Sequence, residues 1–445
     1  MDIVQPSILS GFMELSPEDQ VLFNKIKDIA IKNFRNYGFW PIDTPAIEKS
    51  EILFAKGGGE TEKQVYRIEK GEHSQDQALR FDLTVPLARY VAQNAQDLAF
   101  PFRRYQVAKV WRGERSQKGR YREFYQADVD IIGRNSLSLL NDAEIPSVMD
   151  KIFKEIGVGK AVFHINNRKL LNAFFKDLGI KDSAQILRAI DKLAKIGEEN
   201  VATILEDEGI DSEKIGRIFS FIKGGEDNSQ TLVKLENEQG QSEEYKEALE
   251  DLKFVYKNML AFGIDEDSIV IDLSITRGLD YYTGTVYETF LKGHESIGSI
   301  CSGGRYDNLA SNFSKESLPG VGLSIGLTRL FYQLRAADII QPEKGDYIKA
   351  LVIAMGEDDR QYAIEVVNRL RSEGLVCQLD SEGGKMKKKF SYADKLGAGY
   401  AIIIGESERI TKQISIKDLL SGDQNSMSVE DAVKLIKSNR KEVVE

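Results

Sequence analysis

Five cationic side chains occur within eleven residues of the segment VWRGERSQKGRYREFYQADVDIIG, which spans residues 110–133. They are Arg112, Arg115, Lys118, Arg120 and Arg122. Guanidinium groups pair with phosphate oxygens in a fixed two-pronged geometry, so a loop with several arginines can clamp a polyphosphate. Phe124, at the end of the loop, offers a flat face on which a nucleobase could stack. The alternative is a solvated charged turn, because runs of charge usually lie on the surface.

Three further segments combine glycine with arginine or tyrosine in patterns that suit a charged ligand. TRGLDYYTGTVYE sets Arg277 ahead of two tyrosines, and SGGRYDNL sets Arg305 and Tyr306 beside two glycines. GVGLSIGLTRL places Arg329 at the start of a predicted helix, after a strand that is rich in glycine. Each segment alone is weak evidence, because glycine within strands also marks bulges and a tyrosine pair also suits packing. A structural role for Arg305 and a solvated position for Glu123 remain open alternatives.

Several classes of site are missing from the sequence. It contains no GxxxxGK[ST] loop, which argues against a P-loop NTPase. It also contains no dinucleotide fingerprint and no nucleophile elbow. Cys301 and Cys377 are far apart, and the three histidines are scattered, so neither a disulfide framework nor a zinc site is expected.

The composition is that of an acidic globular protein of 445 residues with a formal net charge of -10. This length allows two or three domains. The net charge argues against binding to nucleic acid by bulk attraction, although a local basic surface remains possible. The N-terminus lacks the pattern of a signal peptide, and no stretch approaches the ~20 apolar residues of a membrane span. We therefore expect a cytoplasmic protein without membrane association.

Hydrophobic periodicity predicts the elements that would position these side chains. It predicts a helix over 16–37, and alternation on both sides of the charged loop predicts two antiparallel strands joined by a long hairpin loop. Residues from about 140 to 265 show helical spacing, which predicts a mostly helical insertion. Residues 346–445 follow the order βαβαβ, which predicts a small α/β domain with a parallel sheet.

Taken together, these segments resemble the histidyl-tRNA synthetases, a family of class II aminoacyl-tRNA synthetases. TPAIEKSEIL resembles the end of the first class motif, VWRGERSQKGRYREFYQADVDIIG the second, and GVGLSIGLTRL the third. RGLDYYTGTVYE and GGRYDNL resemble the two signatures of the histidine enzymes, and LRFDLTVPLARY and INNRKLLNAFF also match. The resemblance covers nearly the whole chain. It departs at PSILSGFMELSP, where the family usually has a Gly-Thr-Arg-Asp-like element, and we assign no role there.

The resemblance implies an α+β fold, in which a class II antiparallel sheet flanked by helices forms the catalytic domain. That domain would be discontinuous, with residues 1–155 and 266–338 on either side of a helical insertion at 156–265. Residues 346–445 would form the C-terminal α/β anticodon-binding domain. Because the first class motif lies at the subunit interface in this family, a homodimer is implied.

The resemblance also implies roles in ATP binding. Arg112 and Arg277 would contact the α-phosphate as catalytic residues, because prepositioned cations stabilise negative charge that develops there. Arg120 and Arg329 would hold the outer phosphates. The adenine would contact Glu114 through its amino group and Phe124 by stacking. Mg²⁺ would be carried on the ATP phosphates, without a tightly held protein site.

For L-histidine, the resemblance implies that Asp82, Thr84 and Gln126 hold the amino group, with Arg277 also in contact. Asp130, Tyr282 and Tyr306 would line the imidazole pocket. A buried polar pocket rejects analogues that leave its groups unpaired, by roughly 10⁴-fold. Asp82 has an alternative role as a cap of the helix that follows it.

Contacts to tRNA are implied at two places. Gln117 in the charged loop would meet the acceptor end, and four lysines near one C-terminal helix would neutralise RNA phosphates. These are Lys385, Lys387, Lys388 and Lys389. A solvated helix face is the alternative for each lysine.

The implied reaction is the ATP-dependent ligation of L-histidine to tRNA(His) through histidyl-adenylate, with release of AMP and pyrophosphate. One rival is a regulatory paralogue, because the same fold serves as a non-catalytic subunit of ATP phosphoribosyltransferase. Such paralogues lose parts of the catalytic set and the C-terminal domain, whereas this chain keeps both. A second rival would pass the adenylate to an acceptor other than tRNA.

Overall fold

The computed structural model describes residues 3–55, 63–69, 76–115, 119–180, 183–276, 282–343, 345–382 and 384–438. The chain divides into two compact units. The first consists of Met1–Glu14 and Phe23–Ile340, and the second of Leu15–Leu22 and Gln341–Glu445. No helix in the described ranges is long and apolar enough to cross a membrane.

The first helix, α1 (Pro17–Asn36), confirms the helix predicted over 16–37. Ser16 caps it, because its Oγ accepts a hydrogen bond of 3.1 Å from the backbone N of Asp19. Ala30 and Phe34 are fully buried, one helical turn apart on the apolar side.

Two sheets form the framework of the first unit. Their strands, in chain order, are β1 (Trp40–Pro41), β2 (Ile47–Lys49), β3 (Arg67–Ile68), β4 (Gln77–Leu79), β5 (Phe102–Trp111), β6 (Glu123–Ile132), β7 (Ala161–Asn167), β8 (Ile269–Ile271), β9 (Thr285–Leu291), β10 (Cys301–Tyr306) and β11 (Gly320–Ile325). Counted over the described residues, the large sheet has eight strands in the order β1-β5-β6-β11-β10-β9-β7-β8, and β2, β4 and β3 form a small sheet. Neighbours from β5 to β7 run antiparallel, while β1 and β8 add a parallel pair at each edge. The expected antiparallel sheet is thus confirmed in its centre.

The hairpin predicted around the charged loop is present as β5 and β6. The two strands pair in antiparallel register from Phe102 opposite Ile132 to Trp111 opposite Glu123. Strand β6 alternates between polar and apolar residues from Gln126 to Ile131, and Ala127, Val129 and Ile131 are fully buried on one face. The polar residues Gln126, Asp128 and Asp130 therefore share the opposite face.

Helices cover the sheet and fill most of the predicted insertion. They are α2 (Ser50–Phe54), α3 (Thr84–Asn94), α4 (Leu140–Ile156), α5 (Arg168–Asp177), α6 (Ala184–Ile190), α7 (Leu193–Asp207), α8 (Ser212–Lys223), α9 (Asn228–Glu236), α10 (Glu243–Ala261) and α11 (Leu327–Ala336). The structure differs from the expectation at the start of the 156–265 range. Strand β7 lies within that range and pairs with β9 and β8, since Phe163 and Ile165 alternate with polar residues and are fully buried.

The second unit contains the βαβαβ order that the sequence predicts. Its elements are β12 (Ala350–Ala354), α12 (Arg360–Ser372), β13 (Cys377–Leu379), α13 (Met386–Lys395), β14 (Tyr400–Ile404), α14 (Glu406–Thr411), β15 (Ile414–Asp418), β16 (Gln424–Met427) and α15 (Val429–Ser438). Strand β12 is parallel to both β13 and β14, while β15 and β16 extend the sheet in antiparallel fashion. The sheet is therefore mixed. Strand β16, QNSM, is polar and mostly exposed, so no apolar pattern predicts it.

Arg305 on β10 has the structural role that the sequence left open. Its Nε donates to Asp142 Oδ1 at 3.0 Å and its Nη2 to Asp142 Oδ2 at 2.6 Å. The same Nη2 also donates to the carbonyl oxygens of Leu137 and Ser138. Arg305 is 5% exposed and Asp142 is fully buried, so the pair ties β10 to the start of α4.

We predict that Arg305→Ala destabilises the first unit strongly, because it leaves the Asp142 carboxylate buried without its cation. The loss in the free energy of unfolding should be about 3–5 kcal/mol, measured by urea denaturation. Arg134→Ala is the matched control, since Arg134 and Glu316 form an ion pair of 2.7 Å with about a third of each side chain exposed. That control should lose less than about 1 kcal/mol. Equal losses in the two variants would contradict the structural role of Arg305.

Candidate active site

A cavity of about 1150 Å³ lies over one face of the large sheet. Its floor includes a row of polar residues that stand opposite one another on five adjacent strands: Asp128, Ser324, Ser302, Glu288 and His164. In-register positions of a sheet project to the same side, so this row makes the floor hydrophilic. The cavity can therefore hold a polar ligand.

Arg112, at the end of β5, is held between two aromatic rings at one end of the cavity. Its guanidinium carbon lies 4.4 Å from the ring centroid of Phe81 and 5.2 Å from that of Phe124. Its Nε donates to the carbonyl oxygen of Phe81 at 3.2 Å. Cation–π contacts and this hydrogen bond orient the guanidinium group before any ligand arrives. Phe124 itself packs against Leu83, Ala108 and Val110.

The other described cations of the loop have different partners. Arg120 and Glu114 line the cavity together, with 3.5 Å between Arg120 Nη1 and Glu114 Oε2. Arg122 lies against the N-terminal segment that has no assigned role, because its backbone N donates to Gly11 O and its Nη1 to Ser10 O. Arg115 is exposed. Lys118 and Gln117 lie outside the described residues.

The sequence left open a solvated position for Glu123, but the structure places its side chain in hydrogen bonds within the hairpin. Its Oε1 accepts from Lys109 Nζ at 2.6 Å, and its Oε2 accepts from Trp111 Nε1 at 2.9 Å. The side chain therefore ties the two strands of the hairpin together at the root of the loop.

Arg329 reaches the cavity from the first turn of α11. Its Nη2 donates to the carbonyl oxygen of Ile297 at 3.2 Å. A Cβ at Gly298 would come within 2.8 Å of the same Nη2, and Gly298 has a φ of +77°. Glycine at this position thus lets the guanidinium group pass. Arg277, which the resemblance pairs with Arg112 at the α-phosphate, lies outside the described residues.

Asp82 caps α3 and also lines the cavity. Its Oδ1 accepts from the backbone N of Thr84 at 3.1 Å and of Val85 at 2.9 Å, so the alternative role as a cap is present. Asp82 is 4% exposed, and burial raises its pKa above the usual value. The two backbone hydrogen bonds and the charge of Arg112 oppose this rise. Thr84 lines the cavity beside it.

Asp130 and Tyr306 form a buried network with Arg104. Tyr306 donates its hydroxyl to Asp130 Oδ1 at 2.7 Å, and Arg104 Nη2 lies 2.6 Å from Asp130 Oδ2. Burial raises the pKa of Asp130, while Arg104 and the hydroxyl of Tyr306 lower it. Both predicted pocket residues are nearly fully buried, whereas Tyr282 lines the cavity directly.

Glycines in β11 and β10 create the space for these side chains. A Cβ on Gly322 would lie 2.1 Å from Asp130 Oδ1, and one on Gly320 would lie 2.4 Å from the ring of Tyr306. A Cβ on Gly304 would lie 3.0 Å from the ring of Tyr282. The glycine spacing noted in the sequence therefore serves close side-chain packing across the strands.

Of the residues expected to bind ATP or histidine, those that the structure describes line one cavity, apart from Asp130 and Tyr306. The residues that line it are Asp82, Thr84, Arg112, Glu114, Arg120, Phe124, Gln126, Tyr282 and Arg329. Sequence reasoning missed Asp128 and Ser324, which also line it. The alternation of β6 could have indicated Asp128, because it shares a face with Gln126 and Asp130.

His164, one of three histidines that are scattered along the sequence, also lines the cavity. His164 Nδ1 lies 2.8 Å from Asp272 Oδ2, and Asp272 Oδ1 accepts from Ser274 Oγ at 2.6 Å. These contacts lower the pKa of Asp272 against the effect of its burial. No group of three or more potential metal-ligating residues occurs in the described part of the chain.

The four lysines in the second unit differ in their surroundings. Lys385, Lys387 and Lys388 are exposed. Lys389 instead points inward: its Nζ lies 2.6 Å from Asp380 Oδ2 and donates to the carbonyl oxygen of Ala354 at 3.2 Å. Its side chain is only 12% exposed, so it stabilises the unit itself.

Comparison with known protein families agrees with this geometry. The family model described as Histidyl-tRNA synthetase matches residues 11–330, and the one described as Anticodon binding domain matches residues 349–439. The chain belongs to the histidyl-tRNA synthetase family. The resemblance seen in the sequence and the α+β fold are thereby confirmed, and the chain is an aminoacyl-tRNA synthetase.

Individual relatives extend over nearly the full length. A histidine–tRNA ligase of Clostridium tetani is 53% identical over 98% of this chain and 99% of its own. A crystal structure of histidyl-tRNA synthetase from Nostoc sp. PCC 7120 matches with a TM-score of 0.90 and 39% identity, covering 98% of this chain and 100% of that one. A Bacillus halodurans protein described as an ATP phosphoribosyltransferase regulatory subunit/histidyl-tRNA synthetase matches at 21% identity and a TM-score of 0.73, covering 91% and 99% of the two chains. This last match shows the shared fold alone.

We predict that Gly322→Ala weakens histidine binding without weakening ATP binding, because the new Cβ displaces the Asp130 carboxylate. The KM for histidine in ATP–pyrophosphate exchange should rise about 10–100-fold, as expected for the loss of a buried polar contact. Gly216→Ala on α8 is the control, since a Cβ there meets open space. Unchanged kinetics in a folded Gly322→Ala protein would show that this pocket does not bind histidine.

Proposed function

We infer that this chain ligates L-histidine to its tRNA with ATP, through histidyl-adenylate, and releases AMP and pyrophosphate. The observation that carries the mechanism is the single cavity in which arginines and an aromatic ring adjoin a cluster of polar side chains. Cations suit ATP phosphates, and carboxylate and amide oxygens suit an α-ammonium group. Both substrates of the first step can therefore meet in one place.

In the first step, the carboxylate of histidine attacks the α-phosphorus of ATP, and pyrophosphate leaves. Arg112 and Arg277 stabilise the negative charge that builds on the α-phosphate. Arg112 supports this role because Phe81 and Phe124 already hold its guanidinium group. Preorganised cations need little rearrangement as the reaction proceeds.

ATP enters as its magnesium complex, with the metal carried on the nucleotide phosphates. Arg120 and Arg329 bind the outer phosphates, Phe124 stacks on the adenine, and Glu114 accepts from the adenine amino group. The exposed Arg120–Glu114 pair opens on binding, so that each partner meets its own part of the nucleotide. An exposed ion pair of this kind contributes at most about 1 kcal/mol, so its exchange costs little.

Histidine binds on the sheet beside the α-phosphate. Asp82, Thr84 and Gln126 hold its α-ammonium group, and Gln126 Oε1 supports this role because it is buried without a hydrogen-bond partner. Asp130, Tyr282 and Tyr306 recognise the imidazole ring. The hydrogen bond from Tyr306 to Asp130 holds both polar groups in place for a ring with one donor and one acceptor.

In the second step, the histidyl group moves to the terminal adenosine of tRNA(His). We assign residues 1–155 and 266–338 to the catalytic domain. The range 156–265 forms the helical insertion, apart from strand β7, which belongs to the large sheet. Residues 346–445 serve anticodon recognition, a role supported by the family match there. Gln117 contacts the acceptor end, and Lys385, Lys387 and Lys388 contact RNA phosphates. The internal ion pair of Lys389 makes it the least available of the four lysines. The enzyme works as a cytoplasmic homodimer.

ATP–pyrophosphate exchange without tRNA, with each of the twenty amino acids in turn, tests the first step. We expect exchange with histidine alone, and a loss of about 10²–10³-fold in kcat for Arg112→Ala. Arg115→Ala is the matched control, because Arg115 is an exposed arginine of the same loop and should leave the rate unchanged. Absence of exchange with every amino acid would favour the regulatory paralogue instead.

Replacement of Lys385, Lys387 and Lys388 by alanine should weaken tRNA binding most at low salt. The slope of log K against log salt concentration should fall by roughly 2 if all three lysines contact phosphates. Lys434→Ala serves as control, since this exposed lysine of the same unit pairs with Asp431. An unchanged slope would mean that the three lysines form only a solvated face.

A further inference from the structure

We propose that Asp128 and Ser324 form a hydrogen-bond relay that fixes the orientation of the Gln126 side-chain amide, so that its oxygen faces the α-ammonium group of histidine. This inference rests on the proposed function, in which Gln126 contacts that group. Asp128 and Ser324 act as positioning residues, since they reach the substrate through Gln126.

The three side chains form a continuous chain of hydrogen bonds on the cavity floor. Gln126 Nε2 donates to Ser324 Oγ at 2.7 Å, and Ser324 Oγ donates to Asp128 Oδ1 at 2.5 Å. Asp128 and Ser324 are directly opposite each other on β6 and β11, and all three residues line the cavity. The strand register therefore builds the relay.

The direction of the relay follows from the number of protons available. A hydroxyl group has a single proton to donate, and a carboxylate can only accept. Because Ser324 gives its proton to Asp128, it can only accept from Gln126, so the amide must turn its NH₂ group toward Ser324. The opposite orientation would set the amide oxygen against a hydroxyl oxygen that has no proton left.

The fixed orientation leaves Gln126 Oε1 as a buried acceptor without a hydrogen-bond partner. A buried polar atom in that condition costs about 1–3 kcal/mol, so its presence in a cavity indicates that a ligand supplies the donor. An α-ammonium group has three donors and suits this position.

Several charged or titratable groups surround Asp128. They are Arg104 on β5, Asp130 on β6, Cys301 on β10, and Arg80 and Asp82 in the segment between β4 and α3. Burial raises the pKa of Asp128 to about 7, with Asp130 and Asp82 adding to the rise and Arg104 and Ser324 opposing it. Above pH 7 the ionised carboxylate of Asp128 accepts the hydroxyl proton of Ser324, which fixes the orientation of the Gln126 amide. Below pH 7 a protonated Asp128 can itself donate to Ser324, so that Ser324 can donate to Gln126 and the amide can flip.

The test compares histidine with 3-(imidazol-4-yl)propanoate, which keeps the ring and the carboxylate but lacks the amino group. Ser324→Ala should raise the KM for histidine about tenfold in ATP–pyrophosphate exchange. The same variant should leave the KM for ATP and the inhibition constant of the analogue unchanged. Equal weakening of histidine and analogue would overturn the relay, because general damage to the pocket affects both.

The pH dependence of the same comparison provides a second readout. The α-ammonium group lowers the imidazole pKa of histidine relative to that of the analogue, so the ratio of the KM for histidine to the inhibition constant of the analogue varies with pH in any protein. These ligand titrations are the same for the wild type and for the nearly isosteric Asp128→Asn variant, so they cancel when the wild-type ratio is divided by the ratio of the variant. The quotient should rise as the pH falls below 7. A quotient that stays flat while exchange with histidine continues would overturn the relay. Failure of the proposed function is distinct, because then the wild type would show no exchange with histidine at all.

Discussion

The register of β6 between β5 and β11 is the constraint on which the site depends. It sets Asp128 opposite Ser324 and Asp130 opposite Gly322, while Val129 and Ile131, the residues that follow these aspartates, enter the core. A shift of one residue would turn Gln126, Asp128 and Asp130 into the core, and Ala127, Val129 and Ile131 into the cavity. The apolar face thus specifies the position of the catalytic face, and hydrophobic burial provides the energy that holds it there.

The two buried carboxyl groups of this floor, Asp128 and Asp130, are tolerated because one buried cation, Arg104, acts on both. Arg104 is fully buried and lies against Asp130, and its charge also acts on Asp128. Two carboxylates two residues apart on one strand would repel each other strongly without a cation between them. Burial raises the pKa of both carboxyl groups, and the charge of Arg104 opposes that rise. The polar groups of the floor can recognise a neutral imidazole ring by hydrogen bonds.

Much of the fold follows from local patterns, but the connections within the site do not. The β5–β6 hairpin and the βαβαβ order are visible as periodicity, and β16 is not because it is polar and exposed. Arg305 and its partner Asp142 are 163 residues apart, and Ser324 and Asp128 are 196 apart. No local pattern reveals such pairs, since they exist only after the sheet has formed. The expected roles of individual residues in binding ATP and histidine rest on the resemblance to a family, because the position of a residue in the sequence does not indicate which ligand it contacts.

The cations of the loop show how the free site can be ordered and still open to ATP. Arg122 is anchored to backbone oxygens of the N-terminal segment, which fixes the root of the loop. Arg112 is held by two aromatic rings, and cation–π contacts at partly desolvated positions are worth about 1–2 kcal/mol each. Within the described part of the chain, the side chain of Arg120 has a half-exposed contact of 3.5 Å with Glu114, worth at most about 1 kcal/mol. A polyphosphate therefore recruits Arg120 easily, while Arg112 stays in place for the charge that develops at the reacting phosphate.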